Sequence, residues 1–131
     1  MVSISSSVTT SFVFVFIINT KPNTHFTKEL VLYSLLFASL NAPLEEIMWR
    51  GFIFSRFIDT MGVVSALLVT SLGFGLYHYA LGIPLLICLA FGLGSVYMAG
   101  LTIKSNGLLP VILFHFVLNF WMFMSGVIHP L

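Results

Sequence analysis

The sequence predicts an all-α integral membrane protein of about five transmembrane helices packed around a polar intramembrane cavity. Three observations carry that expectation. Hydrophobic residues make up 59% of the 131 and charged residues only 7%, against roughly 25% charged in soluble domains. The apolar residues fall into consecutive runs of near-spanning length, separated by short polar breaks. A few ionisable side chains sit inside those runs, where such groups are costly unless they are paired or form a site. Residues 1–131 read as a single membrane domain, multi-pass, with no linker, repeat or soluble appendage.

Composition also narrows the partners. Five basic and four acidic residues give a net charge of +1, so there is no basic face and nucleic acid is excluded. The lipid bilayer is the expected environment. Cys88 is the one cysteine; it lies in an apolar run and reads as a small core residue.

The elements follow in order. Val2 to Thr20 is apolar though rich in Ser and Thr. It has no Lys or Arg ahead of it and no small-x-small cleavage site before Lys21, so it reads as a spanning helix rather than a secretory signal. The polar break "KPNTHFTKE" runs from Lys21 to Glu29. Leu30 to Phe57 comes next; as one helix it would extend about 42 Å, too long for a ~30 Å hydrocarbon core unless bent or tilted. Pro43 either bends it or opens a new helix after Asn41 or Ala42. "DTMG", Asp59 to Gly62, makes the next break, and Val63 to Leu81 spans again. Gly82, Ile83 and Pro84 turn the chain into Leu85 to Ile103. "KSNG", Lys104 to Gly107, leads to the last run, Leu108 to Gly126. Turns this short make consecutive helices antiparallel neighbours. Lys21 and Lys28 on one side balance Arg56 and Lys104 on the other, so the charges do not fix the orientation.

The polar residues within the runs are the informative ones. "APLEEIMWRGF", Ala42 to Phe52, brings Glu45, Glu46 and Arg50 together. Glu46 and Arg50 are four apart with the acid first, the favourable order for an ion pair within a helix. Glu45 points about 100° away around the same helix, so one carboxylate is accounted for and one is left over. If Pro43 opens a helix, both glutamates sit in its first turn, where the dipole favours their ionised form. His78 lies on the next run, and His115 and Asn119, also four apart, on the last. Taken singly, an ion pair, a packed histidine or an interhelical asparagine has a structural explanation. Together on three helices they point to a site. His25 and His129, outside the runs, carry no special role.

Known intramembrane chemistries can be sorted on these residues. No histidine is followed by glutamate, which removes the H-E-x-x-H metalloproteases. Ser95 and Ser125 are preceded two positions earlier by Leu93 and Phe123 rather than glycine. Asp59 is the one aspartate and cannot form a dyad. A glutamate with two histidines is left, a set able to deprotonate water and stabilise an oxyanion.

"EEIMWR" fits E-E-x-x-x-R, "FGLYH" from Phe74 fits F-x-x-x-H, and "HFVLN" from His115 fits H-x-x-x-N. In that order the three motifs resemble the membrane-embedded CAAX prenyl protease and bacteriocin-processing family, also called Abi or CPBP. The likeness extends to "RGFIF" and to "FGLGSVYMAGLTIKSNGLLPVILFH", and spans roughly residues 30–123. One E-E-x-x-x-R is weak; three motifs in order on successive helices are specific.

The resemblance implies a helical fold around a water-accessible cavity and hydrolysis of a peptide bond within it. It assigns water activation to Glu45 and His78, oxyanion stabilisation to His115 and Asn119, and support to Glu46 and Arg50. The implied activity is a glutamate-dependent endopeptidase acting on a membrane-associated peptide or lipidated protein. No cofactor is expected, with zinc on Glu45, His78 and His115 as the competing arrangement. Family proteins usually carry more helices ahead of the first motif. This chain is therefore expected to be a minimal member, a fragment or a remnant, with an additional membrane subunit among its candidate partners. The alternative function is a non-enzymatic bacteriocin self-immunity or membrane scaffold protein. A small transporter, lacking the internal repeat such proteins show, ranks below it.

Overall fold

The computed structural model describes residues 27–128. The first expected span, Val2 to Thr20, lies outside them, as do His25 and His129. The described chain is helical: α1 is Lys28–Glu46, a π-helical segment is Ile47–Phe54, α2 is Ser55–Ala80, α3 is Leu85–Ser105 and α4 is Leu109–Met124. It divides into two compact units, residues 45–111 and the stretches on either side of them.

Of the two arrangements left open at Pro43, a continuous helix or a restart, the chain takes the first: α1 runs through Pro43. Proline has no N–H to offer the Ser39 carbonyl one turn back, yet the helix continues. Glu45 and Glu46 therefore close a helix rather than open one, and stabilisation by a helix N-terminus does not apply to them. The chain then widens into the π-helical turns of Ile47–Phe54. Such turns are rare and tend to occur at functional sites.

The unit 45–111 is built from antiparallel helical rods. Gly62 sits at φ 80° and ψ 165°, a region essentially reserved for glycine. Phe54 clusters with Ala66, the Trp49 ring lies 5.5 Å from that of Phe74, and Glu45 faces His78. These pairs nest about Gly62, so the chain folds back there, at the end of the predicted "DTMG" break. The second reversal uses Gly82 at φ 88°, with the Leu81 and Ile83 N–H groups both donating to the His78 carbonyl. α3 then returns along α2 at close range. A Cβ on Gly75 would come within 2.6 Å of the Cys88 carbonyl oxygen and 3.4 Å of the Gly92 Cα. Small residues at this crossing let the backbones meet. α3 ends at Asn106, left-handed at φ 51°, a conformation asparagine tolerates.

In the other unit, α1 buries Ser34, Ala38 and Ala42, spaced one turn apart. α4 buries His115, Asn119 and Phe123 at the same spacing, and the Phe37 and Phe123 rings meet at 5.5 Å.

Burial is inverted relative to a soluble protein. The buried residues include Glu45, Glu46, Arg50, Thr70, Ser71, His78 and Ser95, while Leu40, Leu44, Leu72 and Leu86 stand exposed. An apolar exterior of this extent belongs in hydrocarbon. Among the described residues, the run Lys28–Ala80 and the helix Leu85–Ser105 are long and apolar enough to cross a membrane, and Leu109–Met124 is a shorter apolar helix. These described helices hold the expected runs after the first, with the two on either side of Gly62 joined in Lys28–Ala80. A groove of about 390 Å³ along α2 and α3, lined by Leu68, Leu72, Leu89 and Leu93 among others, is apolar.

Candidate active site

Glu45, Glu46, Arg50 and His78 all belong to the unit 45–111, held there by the Gly62 reversal. Glu46 is fully buried, and Arg50 Nη1 donates to its Oε1 at 2.8 Å. That pairing, read from the four-residue spacing, survives the change from α- to π-helical turns. The second arm of the guanidinium reaches α3: Nη2 donates to Ser95 Oγ at 2.9 Å and lies 3.4 Å from Met98 Sδ. The guanidinium carbon also stands 4.7 Å from the centroid of the Phe74 ring, a cation–π distance. Arg50 thereby touches all three rods of its unit.

His78 is fixed with equal economy. Its Nδ1 is 2.8 Å from the Phe74 carbonyl one turn back. A carbonyl can only accept, so Nδ1 carries the hydrogen and Nε2 of the neutral ring presents its lone pair. The ring is packed against Phe74 at 4.6 Å, Phe91 at 4.7 Å and Tyr77 at 5.4 Å between centroids. Nε2 faces Glu45 Oε1 across 4.0 Å, beyond direct hydrogen-bond range. Both side chains keep about 11% of their surface open, so the gap is mostly enclosed yet reachable.

Phe74 serves both neighbours. Its carbonyl sets the His78 tautomer and its ring lies against both Arg50 and His78. His115 and Asn119 belong to the other unit, buried one turn apart on α4 at 3% and 2% exposure. Among the described residues no three His, Cys, Asp or Glu side chains gather into a group able to hold a metal ion.

Sequence reasoning passes over Ser95, weighing it only as a nucleophile. The available signal is a serine following "GLG" in an apolar helix, where a small polar residue commonly bonds to a neighbouring helix. The bonding role of Phe74 has no signal, because a backbone carbonyl is invisible in the pattern.

No curated protein and no solved structure matches the chain. A family model described as type II CAAX prenyl endopeptidase Rce1-like matches residues 27–121, a stretch that contains all three motifs. The chain belongs to the Rce1-like family of type II CAAX prenyl endopeptidases, which are membrane-embedded proteases.

Proposed function

We propose that the protein is a multi-pass intramembrane endopeptidase in which Glu45 and His78 activate water against a peptide bond of a membrane-associated, prenylated substrate. The observation that supports this most is the 4.0 Å gap between Glu45 Oε1 and His78 Nε2. A water about 2.8 Å from each group would span such a gap with an angle near 90° at its oxygen. One of its hydrogens points to the carboxylate and the other to the bare Nε2.

Glu45 takes the proton as the water oxygen bonds to the scissile carbonyl carbon. The carbonyl π electrons move to oxygen, giving a tetrahedral oxyanion. His115 and Asn119 are assigned to hydrogen-bond that oxyanion, on the family resemblance. The C–N bond then breaks, and the proton held by Glu45 passes to the departing nitrogen, leaving an amine and a carboxylic acid that gives up its remaining proton to solvent. His78 holds the water by accepting from it throughout. Glu46 and Arg50 supply no atoms to the reaction; their pairing holds the segment that carries Glu45.

The test is cleavage of a farnesylated peptide ending in a Cys-aliphatic-aliphatic-X sequence by purified protein in lipid nanodiscs. Release of the C-terminal tripeptide by the wild type and its loss in Glu45→Gln is the expected result. No release by the wild type, or equal release by the variant, would overturn the reading.

A further inference from the structure

Arg50 offers five N–H donors in a rigid fork suited to carboxylates, and two adjacent carboxylates lie on its own segment. Its charge interacts with both Glu46 and Glu45. The fork nevertheless divides differently. Nη1 goes to Glu46 and Nη2 to the neutral oxygen of Ser95 on α3, with Met98 sulfur beside it. Ser95 is only 3% exposed, so this bond is shielded from water. A single ring, Phe74, contacts the guanidinium on one hand and His78, the partner of Glu45, on the other.

We propose that Ser95 is a positioning residue: by holding Arg50 Nη2 on α3, it keeps the guanidinium off Glu45 and leaves that carboxylate able to act as a base. The proposal rests on the reading of Glu45 as the base. Its physical ground is the ranking of acceptors. A hydroxyl is a weaker acceptor for a cationic donor than a carboxylate, and a thioether is weaker still. Without the hydroxyl, Nη2 is a buried charged donor left with sulfur alone, which is costly enough to drive rearrangement. The carboxylates its charge interacts with are Glu46, whose Oε1 already holds Nη1, and Glu45, and a shift of Nη2 toward Glu45 is the one that would reach the base. An arginine-paired carboxylate is a poorer proton acceptor, so the step it catalyses slows while substrate binding is untouched.

The experiment combines turnover with a measurement independent of activity, on full-length protein in nanodiscs. In Ser95→Ala, kcat on the farnesylated peptide falls about tenfold with KM within about twofold, a fraction of a general base's usual contribution. Ser95→Thr, which keeps the hydroxyl, recovers most of the loss. In protein carrying 15N-labelled arginine, the Arg50 Nη2 resonance, assigned with Arg50→Lys, moves in Ser95→Ala. Adding Glu45→Gln abolishes most of that movement. The proposal is overturned if Nη2 does not respond to Ser95→Ala, or moves equally with and without Glu45→Gln. It is also overturned if the active wild type keeps its kcat in Ser95→Ala. A wild type that cleaves nothing while the Nη2 response holds would sink the protease reading instead and leave the Ser95 contact standing.

Discussion

The Nε2 atom of His78 faces the Glu45 carboxylate across 4.0 Å, while its Nδ1 is tied to the Phe74 carbonyl. The two nitrogens have separate tasks: one fixes the ring, the other looks into the gap. This arrangement predicts a definite tautomer. In 15N-histidine-labelled protein near neutral pH, His78 should give a protonated Nδ1 and a bare Nε2. Finding the proton on Nε2 would remove the acceptor that the water needs.

Removal of the base should separate chemistry from stability. Glu45→Gln keeps shape and polarity but cannot take a proton, and general-base catalysis typically contributes about 10²–10⁴ in rate. We expect hydrolysis to fall at least about a hundredfold with the thermal unfolding midpoint nearly unchanged. A large loss of stability would make Glu45 a structural residue.

Glu46 should behave in the opposite way. Its carboxylate is 0% exposed and directly bonded to a guanidinium at 2%. Breaking a buried pair by removing one partner typically costs about 3–5 kcal/mol, whereas replacing both with apolar groups is often close to neutral. Denaturation of Glu46→Gln should therefore show the larger loss, and Glu46→Gln combined with Arg50→Met should recover part of it. Equal destabilisation by Glu45→Gln and Glu46→Gln would contradict this division.

How much of this is legible in the sequence follows from which forces are local. The Glu46–Arg50 pair is, because spacing along one helix sets it. The break at Gly62 and the turn at Gly82 are, because glycine supplies backbone conformations other residues avoid. The π-helical turns are not: "IMWRGFIF" has nothing in its apolar pattern that separates i→i+5 from i→i+4 bonding. Pro43 leaves a continuous helix and a restart both open, because the cost of one lost backbone bond need not end a helix. Ser95 escapes notice as a partner of Arg50 because that contact depends on how α3 packs against the π-helical segment, and the Phe74 bond to His78, though local, is made by a backbone carbonyl. The proximity of Glu45 and His78 is expected from the family resemblance rather than from spacing. Their catalytic roles, with those of His115 and Asn119, are proposals that the variants above address.

Helix spacing offers a further test. A Cβ on Gly75 would meet the Cys88 carbonyl at 2.6 Å, so Gly75→Ala must push α3 away from α2. Overpacking of this kind costs about 1–3 kcal/mol. It should also lower turnover, because His78 lies one turn beyond Gly75 on the same helix and Ser95 lies on the displaced one. Gly94→Ala is the control: nothing lies within 4 Å of the position its Cβ would take, and alanine in a helix is favoured over glycine by about 0.5–1 kcal/mol. Gly94→Ala should unfold no earlier than wild type. Matching losses in the two variants would show that the close crossing does not matter.

The 4.0 Å separation argues against a zinc ion held between Glu45 and His78. Zinc binds histidine nitrogen and carboxylate oxygen at about 2.0–2.1 Å in tetrahedral geometry, which puts neighbouring ligand atoms about 3.3 Å apart. At 4.0 Å the two atoms would subtend an angle of roughly 160° at such an ion, far from tetrahedral. A water held by hydrogen bonds has longer contacts and fits the same gap with its own angle only modestly compressed. His78 is also clamped by the Phe74 carbonyl and packed among three rings, so closing the gap would fall to the Glu45 side chain. Treatment of active protein with a strong chelator, followed by dialysis, should therefore leave kcat and KM unchanged. Added zinc should give no gain. Loss of activity on stripping, with recovery on one equivalent of zinc, would replace the water-activating carboxylate with a metal-bound water and require Glu45 to be a ligand.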